Sequence, residues 1–311
     1  MLTAFVRGCL VTLLSCCLVA CNDHGETIRV DLDKRATNAV AEKTAIPKGQ
    51  LNLGISSIIT PKEGYIYYQR LVDYLEKRLA VPVKVVSRGS YEEFNRLLQD
   101  GKLDIAFVCG GPYVDGKDVF GLELLVIPET LSGETVYYSY LIVPARSPAR
   151  RLEDLRGKRF AFTDPLSNSG KLVPEYLLAK QGETPAHFFG EVIYTSAHDT
   201  SIRQVAEGKV DGAAVDSLIY EYMLRKEPLL AEQTRLLVRS APYGMPPVVV
   251  RPGIDVRLRE RLRTLLLAMH EDPEGLLILQ GMMTRRFVPA NDAAYATIRE
   301  MRAFVNSKGK R

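Results

Sequence analysis

An α/β fold in two lobes, each a mainly parallel sheet flanked by helices, is what this sequence predicts, and three observations point to it. From Leu51 onward short apolar runs alternate with stretches of helical periodicity, and strand, helix, strand, helix is the pattern of a parallel α/β sheet. About 260 residues follow that point, more than one core comfortably encloses. One segment also recurs. NRLLQDGKLDIAFV from Asn95 and IRQVAEGKVDGAAV from Ile202 align without gaps, pairing Arg96 with Arg203, Gly101 with Gly208, Lys102 with Lys209, Asp104 with Asp211 and Val108 with Val215. Each copy reads as a helix, a Gly-Lys turn and a strand, one per half.

In chain order, LNLGISSII, VPVKVVS, LDIAFVCG and GLELLVIPE are the strands of the first half. YYQRLVDYLEKRLA and YEEFNRLLQDG space their apolar residues as helices do. The second half begins with the strand RFAFTD and a helix after Gly170, followed by EVIYTS and a helix from His198. GAAVD, a helix from Ser217 and TRLLVRS complete it. Tyr137, Tyr138 and Tyr140 alternate near the first presumed crossing between halves, where they either pack a hinge or line a cleft. Asp104 and Asp211 sit on the two echoing turns and are expected to be structural.

The N-terminus sets the compartment. Residues 1–20 hold one cation, Arg7, no acid, and the apolar run CLVTLLSCCLVA, which is too short to span a bilayer and reads as a signal peptide. Leu18, Val19, Ala20 and Cys21 have the form of a bacterial lipobox, similar to lipoproteins whose cysteine is acylated and becomes the mature N-terminus. Residues 21–50 are polar, poorly periodic and closed by Pro47 and Gly49, as a tether would be. With Cys9, Cys16 and Cys17 removed and Cys21 lipidated, Cys109 is alone and no internal disulfide can form. It ends an apolar run, where a buried thiol fills strand space.

Removing residues 1–20 changes the formal charge from +4 to +3, since Arg7 is the only charge lost. That excess is spread along the chain with no basic block, which argues against nucleic acid as a partner. His24, His187, His198 and His270 are scattered singly, without metal-ligand spacing. SNSG lacks the leading glycine of a nucleophile elbow, and GGPYVDGK lacks the spacing of a phosphate-binding P-loop. Neither an enzyme nor a cofactor is indicated.

TDPLSNSGKLVP, residues 163–174, is the stretch that does suggest chemistry. One short oxygen-bearing side chain suffices to cap a helix. Here Ser167, Asn168 and Ser169 stand in a row before Gly170. Beyond an ordinary cap they would leave hydroxyls and N–H donors at the positive end of a helix dipole, where an anion is stabilised.

These segments resemble the periplasmic phosphonate-binding proteins of ABC importers, within the type 2 periplasmic binding proteins. The resemblance covers roughly residues 51–270 and is carried by YYQRLVDYLEKRLAVPVKVV, LDIAFVCGGPYV, TDPLSNSGKLVP and TSAHDTSIRQVAEGKVDGAAVDS. It implies two lobes joined by two crossing strands and closing on a ligand in the cleft. It places the oxyanion donors at Ser167, Asn168, Ser169, the N–H of Gly170 and His198. Because an imidazole is either neutral or protonated near neutral pH, the charge of His198 would tune such a site. The aromatic of the first-lobe loop falls on Tyr113. Polar or aromatic contacts from SSIITPKEGYIYY fall on Ser57, Thr60, Tyr65 or Tyr67, and the acid that reads the far end of the ligand falls on Asp216. SAPYGMPPVVV departs from aminophosphonate binders, having Gly244 and Met245 where they carry an acid.

The expected protein is therefore a monomeric, lipid-anchored binding protein for a phosphonate, phosphite or phosphate-like anion. Lobe I comprises residues 51–140 with 245–311, and lobe II residues 141–244. Its partner is the permease of an ABC importer; the alternative is a membrane signalling protein for which the same fold senses the ligand.

Overall fold

The structure is a computed structural model that describes residues 49–56, 61–87 and 90–308 of the 311. The signal sequence, Cys21, Ser57 and Thr60 lie outside the described residues. The first half runs β1 (Leu51–Ile55), α1 (Pro61–Leu79), β2 (Val83–Val86), α2 (Tyr91–Gln99), β3 (Ile105–Phe107), α3 (Gly110–Phe120), β4 (Glu123–Thr130) and β5 (Val136–Tyr137). The second runs β6 (Ser139–Pro144), β7 (Arg159–Phe162), α4 (Val173–Lys180), α5 (Pro185–Phe188), β8 (Glu191–Tyr194), α6 (His198–Ala206), β9 (Gly212–Asp216), α7 (Ser217–Lys226), α8 (Leu229–Gln233) and β10 (Thr234–Arg239). The chain closes with β11 (Tyr243–Gly244), β12 (Val248–Val250), α9 (Val256–Ala268), α10 (Pro273–Gly281), β13 (Thr284–Pro289) and α11 (Ala296–Lys308).

Two sheets result, ordered β13-β4-β12-β3-β1-β2 and β10-β6-β9-β7-β8. Each is mixed. The parallel pairings are confined to β2-β1-β3 and β8-β7-β9, and the remaining neighbours are antiparallel. The chain crosses from the first sheet to the second through β5 and returns through β11, and these two short strands pair with each other, Tyr137 opposite Tyr243. Tyr137 is thus buried packing at the crossing, its ring 6.3 Å from that of Tyr243.

Alternation along the strands gives each sheet two cores. In the first sheet Leu51, Leu53, Ile105, Val248 and Val250 face one cluster, with Leu71, Leu75, Leu262 and Leu266 of the covering helices. Ala106 and Val249 face the other, with Phe94, Leu98, Tyr295 and Ile298. In the second sheet Ile142, Ala213 and Val215 lie on one side, and Leu141, Val143, Phe160 and Phe162 on the other.

GGPYVDGK, read in the sequence as a loop, is the first part of the helix α3. Pro112 falls in the first turn, where a helix needs no N–H from it. Tyr65 and Tyr67, also assigned to a loop, lie in α1.

The internal echo corresponds to α2-β3 and α6-β9, which occupy the same place in the two sheets. Gly101 and Gly208 take φ of 69° and 68° at the turn, a left-handed conformation that glycine adopts without cost. Each following aspartate then binds the start of the neighbouring parallel strand. Asp104 donates its N–H to Asn52 O and accepts the N–H of Asn52 on Oδ2, both at 2.9 Å. Asp211 donates to Arg159 O at 2.9 Å and accepts the Arg159 N–H on Oδ2 at 2.8 Å. The copies differ in burial: the Asp104 side chain is 8% exposed and also accepts Arg251 Nε at 3.0 Å, whereas that of Asp211 is 42% exposed. Asp104→Ala should therefore cost about 2–4 kcal/mol, leaving the Asn52 N–H unpaired and the Arg251 guanidinium without its carboxylate. Asp211→Ala should cost under about 1 kcal/mol, because water replaces the lost group. Urea unfolding followed by circular dichroism measures both; equal losses would contradict this account.

Candidate ligand-binding site

The parallel part of each sheet determines where a ligand can enter. β1 has β2 on one side and β3 on the other, and β7 likewise lies between β8 and β9. Where strand order reverses in this way, a crevice opens beyond the carboxyl ends of the strands. The four strands end on polar residues or a thiol: Ser56 follows β1, Cys109 lies just past β3, Thr163 follows β7, and Asp216 closes β9. All four are buried.

Contacts tie these ends together. Ser139, opposite Asp216 in the sheet, donates its hydroxyl to Ser169 O at 2.6 Å. Asn168 donates Nδ2 to Tyr137 Oη at 2.9 Å, and that phenol lies 3.8 Å from Cys109 Sγ. The carboxylate of Asp164 accepts the N–H of Leu166 at 2.8 Å and that of Tyr91, the first residue of α2, at 3.1 Å. It thereby joins the loop after β7 to the helix before β3. Gly111 presses against Leu166 O, and any Cβ there would overlap it.

TDPLSNSGKLVP forms a wide helical turn over Asn168–Leu172, in which Leu172 N–H reaches Ser167 O and Val173 N–H reaches Asn168 O, five residues back. Such turns are rare and recur at functional sites. The Ser167 hydroxyl caps it, accepting the N–H of Gly170 at 3.0 Å. That bond occupies the Gly170 N–H, which the sequence suggested as an oxyanion donor. A serine hydroxyl that accepts still has its own hydrogen to give. Gly170 is required for a different reason, since a Cβ would overlap Thr163 Oγ1.

Buried polar atoms in a native protein nearly always have partners. Around these strand ends Ser56 Oγ, Tyr91 Oη, Thr163 Oγ1, Ser169 Oγ, His198 Nε2 and Asp216 Oδ2 have none among the described residues. Asn168 Oδ1 joins them as an acceptor. Four are hydroxyls, and the two remaining groups are set by their neighbours. His198 Nδ1 accepts the N–H of Asp216 at 3.0 Å, so the proton of the neutral ring sits on Nε2 and that nitrogen is a donor. Burial pushes the His198 pKa down to about 3. The ring is therefore neutral at physiological pH, which corrects the expectation that its charge tunes the site. Asp216 Oδ1 accepts the N–H of Leu218 at 2.8 Å as the cap of α7. Burial pushes its pKa up to about 7, against the N–H bonds from Leu218 and Ile219. When protonated, its carboxyl is a sixth donor.

Of the residues singled out in the sequence, Ser167, Asn168, Ser169 and Gly170 share the wide turn, His198 is hydrogen-bonded to Asp216, and Ser139, opposite Asp216 in the sheet, links the two groups. Tyr113 is not part of the set: its hydroxyl donates to Asp292 Oδ1 at 2.6 Å and its ring packs on Tyr295. Thr60 lies outside the described residues, and Tyr65 is placed only as a residue of α1. Ser56, Tyr91 and Thr163 were not singled out from the sequence. The available hints were the aromatic residue directly after the cap Ser90 and the threonine that opens TDP.

Donors of this kind, at the carboxyl ends of strands in two α/β sheets, have the chemistry to hold an anion. Comparison with known proteins agrees. Residues 53–295 match the family model described as the periplasmic substrate-binding protein of phosphonate ABC transporters. The phosphonates-binding periplasmic protein of Escherichia coli (strain K12) is 24% identical over 263 residues, spanning 83% of this chain and 78% of that one. A binding protein component of a phosphonate ABC transporter from Pseudomonas aeruginosa superposes with a TM-score of 0.79 at 23% identity, over 84% of this chain and 87% of that one. PhnD1 from Prochlorococcus marinus, solved in complex with methylphosphonate, superposes with a TM-score of 0.76 at 20% identity, over 83% and 98% of the two chains. The chain belongs to this family of phosphonate-binding proteins, the exported, periplasmic substrate-binding components of ABC transporters. Its fold is the two-lobed type 2 periplasmic-binding-protein fold.

The two shifted groups have opposite effects on stability. The folded pKa of Asp216 lies above the usual 3.8, so its stabilisation is present below about pH 4 and is lost as pH rises to about 7. The folded pKa of His198 lies below the usual 6.5, so its stabilisation is present above about pH 6.5 and is lost as pH falls toward 3. Between about pH 4 and 6.5 they offset each other. Asp216→Asn keeps the cap and removes one of the two. The variant should be more stable than wild type at pH 7.5, by on the order of 4 kcal/mol at most, with the difference vanishing near pH 4. Urea titrations of both proteins at these two pH values measure it, and a pH-independent difference would refute the burial assigned to Asp216.

Proposed function

We propose that the unpartnered donors around the wide turn hold the oxygens of a phosphorus oxyanion, and that the two lobes enclose it for delivery to the permease. The observation that carries this reading is the set of buried atoms without partners among the described residues, Tyr91 Oη, Thr163 Oγ1, Ser169 Oγ and His198 Nε2 among them. They are mostly donors, and they belong to segments of both halves that Asp164, Ser139 and Tyr137 tie together. Three acceptor oxygens with charge-assisted bonds contribute about 1.5–3 kcal/mol each. After the cost of ordering, several such bonds give micromolar affinity, about 8 kcal/mol. The methylphosphonate held by PhnD1 of Prochlorococcus marinus is a ligand of this class. In this reading lobe I is residues 51–140 with 245–311 and lobe II is 141–244, hinged where β5 and β11 pair. The ligand is bound and released unchanged by a monomer.

Cys21 is the proposed point of attachment to the membrane, supported by the lipobox Leu18-Val19-Ala20-Cys21 at the end of an apolar leader. Expression of Cys21→Ser should shift the protein from the detergent phase to the soluble exported fraction or leave it unprocessed. An unaltered detergent-requiring product would reject the anchor.

Ser167 and Ser169 separate anion binding from helix capping. Ser169→Ala removes a hydroxyl with no protein partner and should weaken methylphosphonate binding by about 1–3 kcal/mol, roughly 5- to 150-fold, with little change in the melting temperature of the unliganded protein. Ser167→Ala should also lower stability by about 0.5–2 kcal/mol, because the Gly170 N–H loses its acceptor. Titration calorimetry and thermal melting measure both. A Ser169→Ala protein that binds as tightly as wild type would return the turn to a structural role.

A further inference from the structure

Beyond the donors, a partly open cavity of about 260 Å³ begins at the ends of β3 and β9, where Phe107 and Asp216 both line it. Its walls are chiefly apolar, including Tyr68, Phe107, Leu218, Met245, Met282 and Phe287. An apolar cavity of about 150 Å³ already holds benzene, so this one has room for an alkyl or aryl group. Its methionines are side chains that adapt to the shape they meet. An ammonium would lose its water in this mostly apolar space and would meet the cation Arg225 in the same wall. Asp216 has one oxygen committed to the Leu218 N–H, and its burial disfavours the charged form that would pair with an ammonium. The other acid, Glu221, accepts the Tyr140 hydroxyl at 3.0 Å, and Arg225 stands in the same wall.

A phosphonate bound through its three oxygens directs its P–C bond along the fourth tetrahedral direction, away from the donors. Asp216 borders both the donor cluster and the cavity, so that direction leads into the apolar space. Resting on the oxyanion role assigned to Ser169 and its neighbours, we propose that the cavity receives the carbon-bound substituent of the ligand. The protein thereby selects organophosphonates bearing an uncharged alkyl or aryl group over inorganic phosphate and over aminoalkylphosphonates.

Calorimetric titration of the full chain in detergent with methyl-, ethyl-, propyl-, butyl- and phenylphosphonate, 2-aminoethylphosphonate and inorganic phosphate tests this. Each added methylene should raise affinity by about three- to fourfold, the factor expected for burying a CH₂ group. Phenylphosphonate should exceed methylphosphonate, and 2-aminoethylphosphonate should bind more weakly than ethylphosphonate. In Met282→Trp, which fills the cavity, the butyl-to-methyl affinity ratio should fall to about one. In Met245→Asp the ratio of 2-aminoethyl- to ethylphosphonate should rise. Methylphosphonate binding with no gain along the series would overturn the cavity's role and leave the oxyanion site standing. Failure to bind any phosphonate would overturn both.

Discussion

Keeping seven polar atoms out of water without partners among the described residues is the constraint on which the rest of this structure depends. Each such atom costs about 1–3 kcal/mol, so the cluster weighs against a net stability of only about 5–15 kcal/mol for a whole domain. The compensation lies in the framework behind it. Four strand ends meet there, Ser139 fixes the carbonyl of Ser169, Asp164 fixes the first N–H of α2, and the Asp216 N–H fixes the ring of His198. None of these supporting bonds is made by the unpartnered atoms themselves. The supporting bonds and the unpartnered positions thus fall on different atoms, in His198 and Asp216 on different atoms of one side chain.

Charge follows the same logic. Among the described residues the cluster contains no lysine or arginine. Its histidine is held neutral and its carboxyl is pushed toward neutrality, both by burial. A site of neutral hydroxyls and one N–H attracts an anion by oriented dipoles, and discrimination then depends on how many hydrogens the anion brings with it. A protonated carboxyl such as that of Asp216 is a donor and an ionised one an acceptor, so its hydrogen-bonding character changes with pH near 7.

Much of this was legible in the sequence, and the remainder was hidden for physical reasons. Strand and helix periods marked most elements because half-buried strands and amphipathic helices must alternate their apolar residues. The echo of Asp104 and Asp211 revealed paired halves because the same turn must cap the same neighbouring strand in each. The Ser-Asn-Ser-Gly run stood out because one cap residue would have sufficed. α3 was concealed by its Gly-Gly-Pro start, which reads locally as a loop although a first turn tolerates it. Ser56, Tyr91 and Thr163 were concealed because their role arises from neighbours distant in sequence. Tyr113 misled for the complementary reason: it stands just after β3, at the start of α3, but Asp292, far along the chain, takes its hydroxyl.

The wide turn at Asn168–Leu172 carries one residue more than a regular α-helix would need to join Ser167 to α4. Such a turn is equivalent to a single inserted residue, and removing it would leave the helix behind it intact while rotating what precedes it by about 100°. Ser169, Asn168 and the cap would then present to another face. The direction of these three side chains is therefore set by a count of residues as much as by their identity. A homologous turn that keeps every serine but is one residue shorter would retain the fold and the helix, and would point its hydroxyls away from the strand ends.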